Sequence, residues 1–341
     1  MPPQSKKAQK LWGGRVYGFT VYVKGCVWED IKVHRMIKIY WFPFENELMI
    51  KQLIEKMILL PLDVIHSAFV TYDKIVTTIF PQLKGVGRQP FINTIDNNRN
   101  LVEHGATKFW LYTPNHICSF RHSTFSTKEP EMLEWIEEYG GGVFYDIGAN
   151  IGIYSLYYAK TKEGSVYSFE PSVFNLRQLA KNLSLNDMSK HITIISNPLT
   201  KTTGVASFIN GSADEGGALS AFGVDYGYDG KPINSDIKYS VLGFSLDDLI
   251  EKNILRETPS LIKIDVDGIE HLILKGALKT LKSKILKSIF IEVNDDFEEQ
   301  SHQVKIILED AGFKLKEKRH SEMVEGSTHY GRTYNQIWIK R

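Results

Sequence analysis

Asp146, Gly148, Ala149, Asn150 and Gly152 stand in the run Phe144-Tyr145-Asp146-Ile147-Gly148-Ala149-Asn150-Ile151-Gly152, where an apolar strand gives way to a glycine turn and then a helix. Glycines at 148 and 152 let a ligand approach the backbone, and Asp146 places a carboxylate where the strand should end. A dinucleotide fingerprint, Gly-x-Gly-x-x-Gly, would set the helix amino terminus against a pyrophosphate. Counting from Gly148, position 150 is Asn and position 153 is Ile. The ligand therefore need not carry phosphate, a nicotinamide dehydrogenase is disfavoured, and the acid at 146 favours a cationic group. Glu170 follows at the end of a second strand, where a doubly wound sheet places an acid to accept hydrogen bonds from both ribose hydroxyls. Taken singly, Asp146 reads equally well as a turn or cap residue and Glu170 as a surface acid. Taken together on consecutive strand ends, they describe a pocket for a cationic nucleoside without phosphate. S-adenosylmethionine is such a molecule: its ammonium and sulfonium suit acidic surroundings, its carboxylate suits backbone amides, and its ribose suits Glu170.

A second group of chemically able side chains lies further along. Asp265 and Asp267 sit at the carboxyl end of another strand, the edge at which α/β sheets place ligands, and either can accept a hydroxyl proton. His271, one turn into the next helix, is the rival base. The bland alternatives are a cofactor-pocket acid for Asp265, a helix cap for Asp267 and a solvated helix residue for His271. Lys263 and Glu292 fall inside strands, where a buried ion pair explains them as well as catalysis does. With no paired His/Cys cluster, no required metal is expected.

The elements that must position these groups alternate from Gly141 onward, which is the α/β signature. Strands are expected at Val143–Ile147, Ser165–Glu170, His191–Ser196, Leu261–Val266 and Ser288–Val293, with a closing pair at Phe313–Glu317 and Gln336–Lys340. Helices are expected at Ile151–Lys160, Val173–Leu185, Leu246–Ile250 behind a Ser245 cap, Gly268–Leu281 and Phe297–Ala311. The result is a doubly wound sheet of about seven strands. Upstream, Lys108–Phe120 alternates weakly and Glu129–Glu138 is helical, both packing on the edge of this domain. The glycine-rich stretch before Ser245, with Tyr226 and Tyr228, and the loop after Lys318, with His320, His329, Tyr330, Arg332 and Tyr334, read as lids or acceptor-binding loops.

Asp146-Ile147-Gly148-Ala149-Asn150-Ile151-Gly152, Phe169-Glu170-Pro171, Ser245-Leu246-Asp247-Asp248-Leu249, Lys263-Ile264-Asp265-Val266-Asp267-Gly268-Ile269-Glu270 and Leu274-Lys275-Gly276-Ala277 occur in this order. In order and spacing the chain from about Lys108 to Arg341 resembles the FkbM-type family of class I S-adenosylmethionine-dependent methyltransferases. The resemblance implies an α/β, Rossmann-like methyltransferase sheet with a reversed last strand. It also implies methyl transfer, usually to oxygen and often on sugars or polyketide-derived products. One common form of the family has Glu where this chain has Asp267, which keeps the charge and shortens the reach. The function expected is therefore O-methylation of a saccharide or glycoconjugate. The rival readings are another small or lipid-linked acceptor, methylated at oxygen or nitrogen, and a cofactor-binding assembly component without turnover.

Composition limits the remaining choices. The 341 residues are 43% hydrophobic and 24% charged, enough apolar surface for a sizeable core and a poor match to disorder. A formal charge of +1 argues against binding nucleic acid through a global positive field. Cys26 and Cys118 lie far apart and suggest neither a disulfide framework nor a zinc site. The amino terminus lacks the apolar core of a secretory signal, and the apolar stretch Met57–Val70 contains Pro61, Asp63 and His66 and falls short of the roughly 20 residues of a bilayer span. The protein is accordingly expected to be cytoplasmic. The chain is divided into an extension, residues 1–100, and a methyltransferase-like domain, residues 101–341. Because every candidate cofactor residue lies after Gly141, the extension is assigned to the acceptor, to self-association or to peripheral membrane contact. Its basic residues before Lys38 and its helical apolar stretch between Leu48 and Phe80 motivate that assignment. Burial of that stretch as an ordinary helix is the simpler alternative.

Overall fold

The computed structural model describes residues 64–83, 85–162, 164–320 and 331–340. The basic stretch before Lys38, Cys26, the first part of the apolar stretch, His329 and Tyr330 lie outside the described residues. The chain falls into two compact units, residues 1–71 and 72–341, and residue 100 lies in a strand of the larger one, Arg99–His104. Helix α1 spans 64–79 and α2 spans Gln89–Asp96. The apolar side chains of Ile75, Ile79, Phe80, Phe91 and Ile92 are exposed, which differs from the simple picture of a helix buried in the domain. Among the described residues no helix is long and apolar enough to cross a membrane.

Strands β1 (Arg99–His104) and β2 (Thr107–Tyr112) form an antiparallel hairpin, followed by α3 (His116–Ser123) and α4 (Pro130–Tyr139). The α/β succession then runs β3 (Phe144–Ile147), α5 (Ile153–Lys162), β4 (Val166–Phe169), α6 (Val173–Leu185) and β5 (Ile192–Ile195). Strands β6 (Gly204–Ile209), β7 (Ala221–Phe222) and β8 (Lys238–Gly243) make a separate antiparallel sheet. After it come α7 (Leu246–Glu251), β9 (Leu261–Ile264), α8 (Glu270–Lys275), α9 (Leu278–Leu281), β10 (Ser288–Asn294), α10 (Glu298–Asp310), β11 (Phe313–Arg319) and β12 (Thr333–Lys340).

The main sheet has the order β11-β12-β10-β9-β3-β4-β5. Its inner strands are parallel, and β12 runs antiparallel to both neighbours, so the expected reversed last strand is present. Both faces are covered, which explains why β3 and β9 are buried at every position instead of alternating in and out. Phe144, Leu261 and Phe290 pack on one face with Trp135 and Tyr158. Tyr145, Ile262 and Ile291 pack on the other with Leu274 and Leu308.

Two expectations required correction. The stretch between β5 and Ser245 is not irregular throughout, because it holds the β6–β8 sheet; its short alternating runs are interrupted by glycines that obscure the period. The single helix expected at Gly268–Leu281 is two short ones. Asp247 of α7 accepts hydrogen bonds from the backbone N–H groups of Lys279 (2.9 Å) and Thr280 (2.8 Å), capping α9 from outside. Gly276 lies so close to Thr200 that a methyl group there would fall 2.1 Å from its carbonyl oxygen.

The β1–β2 hairpin is fastened to α6 by side-chain amides. The Asn182 carboxamide accepts from the Tyr112 N–H (2.9 Å) and donates to the Ile151 carbonyl (2.9 Å). Asn186 grips both backbone groups of Trp110, and Gln178 donates to the Tyr112 carbonyl. Replacing Asn182 by Ala leaves a buried N–H and a carbonyl unpaired, so Asn182→Ala should lower unfolding free energy by about 2 to 4 kcal/mol in urea titrations.

Candidate functional site

The carboxyl ends of β3, β4 and β9 open into a cavity lined by Gly148, Asn150, Glu170, Asp265 and Asp267 on the polar side. Phe169, Leu199, Phe208, Phe222, Ile269 and Ile273 supply apolar walls, and Gly217, Ala218 and Ser220 cover it from the β6–β7 loop. This is where the strand order switches direction around β3, the position at which open α/β sheets bind ligands.

Beneath the cavity lies Lys263, buried in the middle of β9. Its ammonium stands 3.2 Å from Asp146 and 3.5 Å from Asp265, and donates to the Gly148 carbonyl at 2.8 Å. Burial opposes the charge, but Asp146 and Asp265 outweigh it and hold the amine above its ordinary proton affinity. Asp146, itself fully buried, also accepts from the Ser155 hydroxyl (2.6 Å). The cation expected beside Asp146 is thus the protein's own lysine, and Asp146 does not line the cavity. The buried ion pair that is one of the two readings of Lys263 and Glu292 takes the form, at Lys263, of this Asp146-Lys263-Asp265 arrangement.

The glycine turn is shaped by packing as much as by ligand access. Gly148 has φ of +79°, and a methyl there would fall 1.8 Å from the Asp265 carbonyl oxygen. Gly152 has φ of +82°, with Leu179 occupying the space of a side chain, so it serves the packing of α5 on α6 and does not reach the cavity. Ala149 is in the core, and its N–H, like that of Gly148, donates to the Phe169 carbonyl. Asn150 is the turn residue that faces the cavity, in a left-handed conformation with φ of +51°.

Glu170 lines the cavity as expected, but it also organises its own walls. One carboxylate oxygen accepts from the Asn150 N–H (2.7 Å), and the other from the Ser172 N–H (2.9 Å). Burial pushes its pKa up to about 7 against those two donors.

At the end of β9, Asp267 does not cap α8. Its carboxylate accepts from the Leu219 N–H (2.7 Å), and its backbone is left-handed, with φ of +63°. The strained turn is held by Glu270, whose buried carboxylate receives the N–H groups of Val266 (3.2 Å) and Gly268 (3.1 Å) and the Gln300 carboxamide. Burial, with Asp265 beside it, raises the Asp267 carboxyl to about 6. Glu292 of β10 completes the group: β10 pairs with β9 in parallel, Ile291 opposite Ile264, and carboxylate oxygens of Asp265, Asp267 and Glu292 lie within 4.8 Å of one another. Burial and then the charges of Asp265 and Asp267 push the Glu292 carboxyl well above the ordinary range. Such a spacing suits a cation held by carboxylates alone, without His or Cys ligands. Lys128, Glu129 and Tyr154 stand nearby: the ammonium and the phenol each donate to Glu129, both at 2.5 Å.

His271 is buried, not solvated, packs edge-on against Phe297, and does not line the cavity. Burial, with Lys275 beside it, draws its pKa down to about 4, so it is neutral and a weak base. Of the loop aromatics, Tyr226 packs against Phe297, and His320 against Tyr334. Glu292, Lys263 and Glu270 are the functional neighbours that spacing alone did not single out for these roles, and Asn175 of α6 also lines the cavity. The Lys263-Ile264-Asp265 alternation does carry a signal for Lys263, since a charged residue in an otherwise apolar buried strand demands a partner.

Residues 146–315 match the methyltransferase FkbM domain. No curated protein matches the chain. Among solved structures, the chain is similar to the methyltransferase FkbM of Methylobacillus flagellatus KT, with 14% identity and a TM-score of 0.41. That alignment covers 74% of this chain and 58% of the other, less than two thirds of its length. It is similar also to the fibrillarin pre-rRNA processing protein of Methanococcus jannaschii (14% identity, 72% and 83% covered, TM-score 0.38). The fibrillarin of Aeropyrum pernix, crystallised with natively bound S-adenosyl-L-methionine, gives 10% identity, 72% and 84% coverage and a TM-score of 0.40.

Lys263→Met removes the cation that pairs with buried Asp146, and should cost about 3 to 5 kcal/mol of stability in urea titrations. Glu270 gives a pH dependence. Its folded pKa, about 7, lies above the ordinary 4.5, so the native state holds the extra proton between these values and stability falls as pH rises through that window. Glu270→Gln should therefore gain on the wild type by about 1 to 3 kcal/mol between pH 5 and pH 8, read from unfolding free energies at both values.

Proposed function

The chain carries a methyltransferase FkbM domain over residues 146–315, and from that premise we propose that it transfers a methyl group from S-adenosylmethionine to a hydroxyl of a saccharide or glycoconjugate. The observation that supports this reading is the cavity at the ends of β3, β4 and β9, which pairs apolar walls with three acids. Phe169, Leu199, Phe208 and Phe222 suit a purine. Glu170 keeps lone pairs for ribose hydroxyls beyond those used by Asn150 and Ser172. Asp265 and Asp267 suit a cationic group. None of these features calls for a phosphate.

When bound, the cofactor supplies a methyl carbon already activated by its sulfonium. The protein's task is then to hold the acceptor oxygen in line and to receive its proton. Asp265, anchored by Lys263, is suited to positioning. Asp267 and Glu292, whose carboxyls hold protons more tightly than usual, are the better proton acceptors once ionised. His271 takes no part in this scheme. A second reading, transfer to nitrogen, is favoured by the same three clustered carboxylates, which would welcome an amine-bearing acceptor.

Titration calorimetry with S-adenosylmethionine, its demethylated product and NAD tests the cofactor: the first two should bind and NAD should not. Glu170→Ala should weaken binding by about 1 to 3 kcal/mol, and unchanged affinity would remove Glu170 from the site. Labelled S-adenosylmethionine with a panel of glycans and amino sugars tests the acceptor. In that assay Asp265→Asn, Asp267→Asn and Glu292→Gln should each reduce turnover more than cofactor affinity.

A further inference from the structure

The β6–β7 loop, residues 210–220, closes the cavity and is bonded by the groups assigned to ligand binding. Asn150 and Asn175 both donate to the Gly217 carbonyl, at 2.7 and 3.1 Å, the Gly216 N–H donates to Asn175 at 2.9 Å, and the Leu219 N–H donates to Asp267. On its outer side the same segment is gripped by α3, which precedes the family domain. Arg121 donates through Nε to the Gly216 carbonyl (2.8 Å), and Asn115 donates to the Glu215 carbonyl (3.0 Å). Arg177 of α6 adds an ion pair to Glu215. Gly216 sits at the tightest point, with φ of +84°; a methyl there would fall 3.1 Å from Ile117 and 3.3 Å from the Cys118 sulfur.

With the loop in this position the cavity measures about 70 Å³. Sites for molecules of nucleoside size enclose roughly 300 Å³ or more. A ligand of that size enters only if the loop moves, and the loop moves by releasing its bonds to α3, to Arg177 and to Asn150, Asn175 and Asp267. The turn residues gain new partners in a ligand when they release the loop. The α3 contacts do not, so they set the bias toward the shut position.

We infer that the 210–220 loop is a gate on the cofactor cavity and that Arg121, with Asn115, is a positioning residue that holds it shut. This rests on the cofactor reading above. Arg121 touches no substrate in this scheme; it acts through Gly216. Loss of one charge-assisted hydrogen bond should shift the open-to-shut balance about tenfold, and hence speed release of S-adenosylmethionine and its product by a similar factor.

The test uses the full chain and tritiated S-adenosylmethionine and S-adenosylhomocysteine, with dissociation rates measured by dilution and filter binding. Arg121→Ala should release both ligands about tenfold faster, Arg121→Lys should restore part of the difference, and amide exchange at 216, 217 and 219 should quicken while exchange in β3 and β9 stays unchanged. Gly216→Ala, which pushes the loop off α3 by crowding Ile117, provides a second route to the same outcome should Arg121→Ala fail to fold. Dissociation rates within twofold of wild type in the folded variants would show the loop to be a fixed wall and overturn the proposal. Absence of binding by the wild-type chain would instead sink the cofactor reading itself.

Discussion

A single buried ammonium organises the centre of this protein. Lys263 is buried, and burying its charge is unfavourable unless the surroundings return the lost solvation. Asp146 from one neighbouring strand, Asp265 from its own strand end and the Gly148 carbonyl from the glycine turn together do so. Each of these partners belongs to a different element beneath or at the cavity. The amine therefore fixes β3, the turn and the end of β9 relative to one another, which apolar packing alone would leave free to slide by fractions of an ångström.

From this fixed floor the acids diverge in character. Asp265 is paired to Lys263, whereas Asp267 and Glu292 sit where burial and like charges favour their protons, and Glu170 where burial does. Groups of one chemical type are thereby given different proton affinities by position alone, the arrangement from which acid and base roles are drawn. Glu270 adds nothing to the cavity surface, yet its bonds to Val266 and Gly268 keep Asp267 in a conformation that an isolated turn would seldom adopt.

Much of this frame was legible in the sequence. The strands and the long helices follow their apolar periods, with α6 beginning and ending at the expected residues and the Ser245 hydroxyl capping α7 by accepting from the Asp248 N–H. What resisted was anything decided by contacts between distant segments. Asp146 reads as a ligand acid until Lys263 is seen beside it. His271 lies on a short helix whose burial depends on Phe297. The helix after Gly268 breaks because Asp247, over thirty residues earlier, caps α9. Glu292 gains its place only through the pairing of β10 with β9.

Strand β12 comes last in the chain among the seven of the main sheet, yet it lies between β10 and β11. During synthesis on the ribosome, the earlier strands can associate while this slot stays empty, leaving β10 with an unpaired hydrogen-bonding edge. Ile289, Phe290, Ile291 and Val293 put apolar side chains on both faces of that edge, all of them buried in the finished fold. Until residues 333–340 emerge, the nascent domain carries an adhesive edge beside its own ligand-binding end. Its hazard is joining to another half-made copy before β12 fills the slot between β10 and β11.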